Sequence, residues 1–274
     1  LDTNNKAIAF LQAVMEQQID LMVHWMRVGF IHGVMNTDNM SICGETIDYG
    51  PCAFMNAFKP ETVFSSIDTG GRYAYGNQPN IALWNLSRLA ESLLALIHPQ
   101  TDIAIELASE LIQTSWEQFE TKYQQMQVAK IGFSQLTPST LQLATDLQRW
   151  MYTHQADYTN SFVKLMHPQL ITDELYNHPD FTQWQKAWQD QLVVQNQSQV
   201  QAQELMQSQN PLYIPRNQHV EALLTQISTT GILEPLHNYL NQITQPYNAQ
   251  QPNSAWMQSP SPAHDSQYKT YCGT

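Results

Sequence analysis

Three oxygen-bearing side chains lie close together near the start of the chain and have the chemistry of a magnesium site. Asp38 and Asn39 are adjacent, and Asp48 follows Asn39 after nine residues, within the triplet Asp48-Tyr49-Gly50. Mg²⁺ prefers oxygen ligands and is often held in proteins by one or two carboxylates together with the phosphates of a nucleotide. A neighbouring carboxylate outside the metal shell can accept the proton of an attacking hydroxyl group. These residue types are thus compatible with a magnesium site beside an acid–base group.

The spacing of these residues matches the catalytic segment of protein kinases, H-R-D-x-x-x-x-N followed by D-F-G. His32 and Asn39 occupy the first and last positions of that loop, and residues 48–50 correspond to D-F-G. In kinases this Asn and this second Asp hold Mg²⁺ against the phosphates. Val34 stands where the catalytic Asp is expected, and an acidic residue reappears at Asp38. The chain is therefore expected to keep the metal ligands and to place its acid–base group differently.

A longer series of motifs resembles one family, the SelO proteins, which are protein adenylyltransferases with a kinase fold. The matching segments run in family order: residues 28–31, 46–51, 68–75, 77–86, 210–213, 216–217 and 272–274. The resemblance implies a mainly α fold, namely the helical C-terminal lobe of a protein-kinase-like fold with a small β-hairpin at the metal site. Residues 1–132 are expected to form this core, and residues 133–274 a helical extension with a polar tail. No G-x-G-x-x-G motif occurs, so the β-rich N-terminal lobe is not expected within this chain.

The resemblance also implies a role for each residue of the site. Asn39 and Asp48 are the implied ligands of Mg²⁺ or Mn²⁺, and Asp48 contacts the bound ATP through the metal. Asp38 matches the residue that accepts the proton in the family. The implied reaction transfers AMP from ATP to a Ser, Thr or Tyr hydroxyl of a protein substrate and releases pyrophosphate. This fragment alone is expected to turn over little without the N-terminal lobe.

Other interpretations of these residues stay open at this stage. Asp48 could cap a turn before Gly50, as an Asp in a D-x-G sequence often does. Asp38 could be a loop carboxylate that accepts hydrogen bonds from backbone amides. Kinase architecture by itself favours attack on the γ-phosphate, so a kinase-like phosphotransferase is an alternative function. A non-catalytic scaffold that kept the fold is a third.

The overall composition narrows the range of partners. The chain has 12 Lys and Arg against 24 Asp and Glu, which gives a formal net charge of −12 and a pI near 5.0. Without a basic cluster, binding to the nucleic-acid backbone is not expected. No apolar run approaches the roughly 18 residues of a membrane span. A bacterial cytoplasmic location is expected, or a mitochondrial one if the protein is eukaryotic.

Cysteine and histidine spacing does not predict a structural metal or a disulfide framework. Cys43, Cys52 and Cys272 form no C-x-x-C pair, and the nine histidines form no H-x-x-H pair. Cys272 lies where the SelO family carries Cys or selenocysteine. This implies either a regulatory disulfide to Cys43 or Cys52 or, as the favoured alternative, a free thiol.

Three further groups of residues are expected to have structural roles. His32 is expected to shape the loop, and Asn36 to support a backbone turn. Asp68 and Arg72 lie where kinases have their activation segment, and an ion pair between them is favoured over a contact of Arg72 with a substrate. The tryptophans are expected in the core.

Apolar periodicity predicts that helices hold the loop in place. The opening helix has an apolar face formed by Leu11, Val14, Met15, Met22, Trp25 and Met26. Residues 31–50 predict the loop and a hairpin turning at Gly44, and residues 51–78 predict further loop. Pro79 is expected in the first turn of the next helix. The inward positions of that helix are Ala82, Leu86, Leu89, Leu93 and Leu96.

The rest of the chain also shows helical patterns. One helix has the inward residues Ile105, Ala108, Ile112, Trp116, Phe119, Tyr123 and Met126 and is expected to end at Gly132. Thr137-Pro138 predicts the start of another. A further helix carries Phe181, Trp184, Trp188 and Leu192. Residues 195–209 predict a solvated helix or a connector, two short helices follow, and the tail from Gln245 is expected to be extended.

Overall fold

The computed structural model describes residues 5–248 and 254–271, and these are mainly helical, as predicted. The helices are α1 (Lys6–Val28), α2 (Gln78–Ile97), α3 (Thr101–Lys130), α4 (Pro138–His154), α5 (Tyr158–Met166), α6 (Pro179–Val194), α7 (Gln199–Gln209), α8 (Asn217–Thr230), α9 (Glu234–Ile243), α10 (Ser254–Met257) and α11 (Pro262–Gln267). Short 3₁₀ turns lie at Thr37–Asn39, Tyr75–Asn77 and Glu174–Asn177. The strands are β1 (Phe30–Ile31) and β2 (Ala53–Phe54).

The small sheet lies at the two ends of the loop segment rather than inside it. β1 and β2 pair in antiparallel fashion, with Phe30 opposite Phe54 and Ile31 opposite Ala53. The predicted hairpin at Gly44 was right about the turn, because the Gly44 N–H donates to the Ser41 carbonyl oxygen at 3.0 Å. It was wrong about the strands, since only a single bridge joins Met40 to Thr46. The sheet thus closes the base of a loop whose ends approach each other.

Helices α1, α2 and α3 pack against one another. The loop is hydrogen-bonded to α1 through the Gln18 amide, which donates to the Ser41 carbonyl oxygen, and to α2 through the Asn85 amide, which donates to the Met35 carbonyl oxygen. Pro79 lies in the first turn of α2, as predicted. Two predicted core positions were wrong, because the side chains of Leu96 and Ile105 are 70% and 47% exposed. Near the end of α2 the buried residue is Ile97 instead of Leu96. An α-helix has 3.6 residues per turn, so positions chosen at intervals of three or four residues gradually rotate away from the buried face. A buried face inferred over several turns can therefore be wrong by one position at its end.

The second half of the chain begins with the predicted cap and packs on aromatic residues. The Thr137 hydroxyl accepts from the Thr140 N–H at 3.2 Å, and Pro138 follows in the first turn of α4. The predicted inward set of α6 is buried: Phe181, Trp184, Trp188 and Leu192. Not every tryptophan is in the core, since Trp84 is 44% exposed.

For residues 195–209 the sequence left a helix or a connector open. The segment forms helix α7 from residue 199 onward, so the helix is the correct alternative for most of it. Ala202 and Met206 of α7 are fully buried. Gly132 has a φ of +87°, and a Cβ atom at this residue would lie 2.8 Å from the Ala202 carbonyl oxygen. A glycine is therefore required at this position, just after the end of α3, where the backbone closely approaches α7.

The prediction of an extended tail from Gln245 was wrong for part of it, because the described residues include the short helices α10 and α11. The last described residues return to the loop region. Thr270 pairs in parallel with Ser65, and its N–H donates to the Phe64 carbonyl oxygen at 2.9 Å. One core cluster contains residues from both sides of Gly132, including Ile131 and Phe133. The division into domains at residue 132 remains a prediction. No helix of the described residues has the length and apolar character to cross a membrane.

Candidate metal and nucleotide site

The loop is shaped by His32, which follows β1 and is fully buried. Its Nδ1 accepts the Val34 N–H at 3.3 Å, so the proton lies on Nε2, which donates to the Ile47 carbonyl oxygen at 2.8 Å. The ring stacks on Trp25 at 5.3 Å between centroids. Burial lowers the pKa of His32, and the smaller effect of the nearby Asp48 carboxylate acts in the opposite direction. The predicted structural role of His32 is confirmed by these contacts.

Asn39 and Asp48 are brought together at the mouth of the loop. The Asn39 Nδ2 donates to the Asp48 Oδ2 at 3.0 Å and to the Val34 carbonyl oxygen at 3.0 Å. Because both partners are acceptors, the amide must present its nitrogen to them, and its Oδ1 is left available for another ligand. Asp48 is exposed and has a φ of +55°, a conformation uncommon for residues other than glycine. Such backbone outliers cluster at functional sites.

Asp38 lies in the 3₁₀ turn beside Asn39, and its side chain is exposed. Among the described residues, no hydrogen bond to its carboxylate is found, so the alternative of a carboxylate bonded to loop amides has no support there. Asn36 lies immediately before this turn, and its Oδ1 accepts a hydrogen bond from the Tyr73 hydroxyl at 2.7 Å. The Asn36 carbonyl oxygen accepts the Asn39 N–H at 3.0 Å, so the predicted place of Asn36 in a backbone turn is confirmed.

The donor atoms at this mouth fit a magnesium ion. The Oδ1 of Asn39 and the carboxylate of Asp48 are oxygen donors, and both residues reach solvent at least in part. Mg²⁺ dehydrates reluctantly and is usually held by one or two protein carboxylates while it keeps several waters. An open site with few protein oxygens is therefore suited to this ion.

The loop, the segment after Asp48 and the tail meet at one carbonyl group. Gly33 has a φ of +88°, and a Cβ atom at this position would lie 2.7 Å from the Pro51 carbonyl oxygen. The same oxygen accepts from the Thr270 hydroxyl at 2.6 Å. Gly33 and Thr270 thus both approach the backbone of Pro51, three residues after Asp48.

The favoured ion pair between Asp68 and Arg72 is not formed. The Asp68 carboxylate accepts from the backbone N–H groups of Arg72 and Tyr73 at 2.8 and 2.7 Å. The Arg72 guanidinium instead lies over the rings of Tyr73 and Trp84, at 5.8 and 5.0 Å from their centroids. Asp68 is thus a turn-capping residue, because its oxygens satisfy backbone donors.

The cysteines do not form a reactive pair within the described residues. Cys43 and Cys52 are free thiols. Burial raises the pKa of the Cys52 thiol to about 11, so it is protonated and unreactive at neutral pH. Cys272 lies outside the described residues.

Two long-range clusters were missed by the sequence reasoning. Arg216 is almost fully buried, and its Nη1 donates to the Asp157 and Asn56 side chains, each at 2.6 Å. A local signal existed only for Asp157, which caps α5. In the second cluster, His154, His178 and Asp180 approach one another, although their spacing follows no metal-binding pattern. His154 and His178 are therefore close in space although they are far apart in the sequence.

The described residues form a mainly helical protein in which the hydrogen-bonded pair Asn39–Asp48 lies in one loop with the exposed carboxylate of Asp38. The chain belongs to the SelO family, since the family model described as protein adenylyltransferase SelO matches residues 1–244.

Curated relatives agree with this assignment. A protein nucleotidyltransferase YdiU from Pelagibacter ubique is 44% identical over 272 residues, which is 99% of this chain and 56% of the relative. Proteins with the same description from Alcanivorax borkumensis and Halalkalibacterium halodurans are 43% and 44% identical over 98% and 100% of the chain. The chain therefore spans about half the length of the curated relatives it matches.

Proposed function

We propose that this chain is the metal-binding part of an enzyme that transfers AMP from ATP to hydroxyl groups of proteins. The observation that carries the proposal is the Asn39–Asp48 hydrogen bond at 3.0 Å, with the carboxylate of Asp38 in the adjacent residue. Membership of the SelO family supports adenylyl transfer in particular. In this proposal residues 1–132 correspond to the helical lobe of a kinase-like fold, and residues 133–274 to an extension.

Each residue of the site has a distinct task in the proposed reaction. Asn39 Oδ1 and the Asp48 carboxylate would hold Mg²⁺ or Mn²⁺, and the bound ion would neutralise phosphate charge. The oxygen of a Ser, Thr or Tyr hydroxyl forms a bond to the α-phosphorus, while the bond to the β-phosphate oxygen breaks and pyrophosphate leaves. The hydroxyl proton passes to Asp38. His32 takes no proton, because its Nε2 is committed to the Ile47 carbonyl.

A kinase-like phosphotransferase is the second candidate, because the same ligand pair could serve transfer of the γ-phosphate. Against it stands Val34 at the position where kinases place their catalytic Asp. A non-catalytic scaffold is disfavoured, since Asp38, Asn39 and Asp48 are all retained. A bacterial cytoplasmic setting completes the proposal and is supported by the bacterial sources of the relatives.

The test is intact-mass spectrometry of the full-length protein, including the N-terminal part that relatives possess, incubated with ATP, Mg²⁺ and a lysate of acceptor proteins. We expect a mass increase equal to AMP on the enzyme or on acceptors. The increase should disappear with Asp48→Asn. A mass increase equal to phosphate would favour the kinase-like alternative, and no increase of either kind would favour the scaffold.

A further inference from the structure

A second group of potential ligands lies outside the loop, where α4 ends and α6 begins. His154 is the last residue of α4, His178 immediately precedes α6, and Asp180 is in the first turn of α6. One ligand atom from each residue lies within 4.8 Å of the other two. We infer that these three residues, called here the His–His–Asp cluster, bind a divalent transition ion of the zinc class.

The distances within the cluster fit side chains arranged around a common point. The Asp180 Oδ2 lies 3.7 Å from the His154 Nε2 and 3.6 Å from the His178 Nδ1. Both distances exceed the 2.7–3.2 Å usual for a hydrogen bond. Two ligands bound to one tetrahedral ion, each about 2.0–2.1 Å from it, are separated by about 3.4 Å. The two separations from Asp180 thus lie within a few tenths of an ångström of this value, and the two histidine nitrogens are at most 4.8 Å apart.

The cluster is partly preorganised by its surroundings. The His154 ring packs on Trp150 at 5.2 Å between centroids, and its side chain is only 18% exposed. The rings of His154 and His178 are 4.4 Å apart. The rings of His154 and His178 are thus already in contact with other rings before an ion binds. Metal binding therefore costs these two side chains little conformational freedom.

The donor set selects the class of ion. Two imidazole nitrogens and one carboxylate oxygen suit Zn²⁺, Co²⁺ and Ni²⁺, whereas Mg²⁺ prefers oxygen donors alone. The His–His–Asp cluster and the Asn39–Asp48 pair should therefore bind different metals. An ion in the cluster would be independent of the transfer reaction.

The ion would also be exchangeable. Three protein ligands leave a coordination position open, as in zinc sites that keep a water. The side chains of His178 and Asp180 are 41% and 65% exposed. A groove of about 360 Å³ runs from His154 and Asp180 past Arg149 and Gln183. Water or a small ligand can reach the open position from this groove, and the bound ion would tie the end of α4 to the start of α6.

Metal binding competes with one hydrogen bond that the cluster already makes. The His178 Nδ1 accepts the Asp180 N–H at 3.2 Å and so caps α6. Asn is among the best N-cap residues. The variant His178→Asn therefore removes the imidazole ligand and keeps a cap, which makes it the sharpest single test.

The experiment is titration of the tag-free, full-length protein with Co²⁺, followed by visible absorption, and then with Zn²⁺, followed by calorimetry. We expect one ion to bind at this cluster, with a ligand-field spectrum for Co²⁺ that Zn²⁺ abolishes and excess Mg²⁺ does not. The Tm should rise with Zn²⁺ concentration.

Matched variants assign the signal to the cluster. His178→Asn and Asp180→Asn should each weaken Zn²⁺ binding by at least about tenfold. Asp190→Asn and His237→Asn, which alter exposed residues of the same types elsewhere, should leave it unchanged. The inference is overturned if no saturable binding is found, or if the cluster variants bind Zn²⁺ as tightly as the controls do. Because Zn²⁺ binding is measured directly, its failure leaves the proposed adenylyl transfer untouched.

Discussion

The Nε2 of His32 donates a hydrogen bond to the carbonyl oxygen of Ile47, at 2.8 Å, across the base of the loop. Ile47 immediately precedes Asp48, so a buried imidazole sets the backbone from which the proposed metal ligand projects. The side-chain amide of Asn39 donates a second hydrogen bond, to the carboxylate of Asp48. Two hydrogen bonds, one to the backbone before Asp48 and one to its side chain, thus position one exposed carboxylate.

Replacing Asp48 by Asn should abolish Mg²⁺-dependent ATP binding in the full-length protein, because a neutral amide cannot offset the positive charge of the ion. The measurement is calorimetric titration with ATP in the presence and absence of Mg²⁺. Asp68→Asn is a matched control in a turn-capping position and should retain metal-dependent binding. Unchanged ATP binding by the Asp48 variant would contradict the ligand assignment.

Replacing Asp38 by Asn should leave ATP binding intact and lower the rate of AMP transfer by about 10²–10⁴-fold, the usual contribution of general base catalysis. The carboxylate is free of hydrogen bonds within the described residues, so the change removes no structural contact found there. Single-turnover transfer and ATP affinity are measured on the same sample. Equal loss of both would indicate a structural role for Asp38 instead.

Substituting His32 by Gln should reduce the loss of stability in mild acid. Burial lowers the pKa of His32 in the folded protein below the reference value of 6.5. The unfolded chain therefore binds more protons as the pH falls through 6.5, and stability present above that pH is lost below it, by at most about 1.4 kcal/mol per pH unit.

The measurement is urea unfolding at several pH values between 7.5 and 5. His237→Gln, at an exposed position, controls for the removal of an imidazole. Partial burial also lowers the pKa of His167 and His219, so a residual slope is expected in both variants. If the two variants showed the same pH dependence, His32 would not be the source of the acid sensitivity.

Replacing Gly33 by Ala should destabilise the protein by about 1–3 kcal/mol, because the new Cβ would meet the Pro51 carbonyl oxygen at 2.7 Å in a backbone conformation that disfavours side chains. Chemical denaturation measures the effect. Gly70→Ala is the matched control, since a Cβ at that position meets nothing within 4 Å. Similar stabilities of the two variants would exclude close packing at Pro51.

Replacing Arg216 by Gln should destabilise the protein by about 3–5 kcal/mol, the usual effect of leaving a buried charge unpaired. Arg216 is 1% exposed and contacts Asp157 at 2.6 Å. The exposed pair of Arg149 with Asp146, which are 2.7 Å apart, provides the comparison, and Arg149→Gln should cost at most about 1 kcal/mol. Equal effects of the two variants on the free energy of unfolding would contradict the buried network.

Features encoded within one or two helical turns could be predicted. The cap at Thr137 and the buried face of α6 were found correctly, since both depend on residues three or four positions apart. The exposed side chains of Leu96 and Ile105 were assigned wrongly, because burial depends on which neighbour covers each turn. The hairpin strands were misplaced for a related reason: β1 pairs with β2 across the whole loop, and two-residue strands carry no periodic signal.

The sequence by itself determined the family, from motifs in order. It also predicted a candidate site at Asp38, Asn39 and Asp48, from residue type, spacing and the resemblance to that family. Only the tertiary structure decided which atoms are available. It directs the Asn39 amide nitrogen to Asp48 and Val34, turns Arg72 onto aromatic rings, buries Arg216 against Asp157, and brings His154 to His178 and Asp180. These contacts join residues far apart in the chain, and a contact of that kind depends on the path of the whole backbone, which no local pattern of residues encodes.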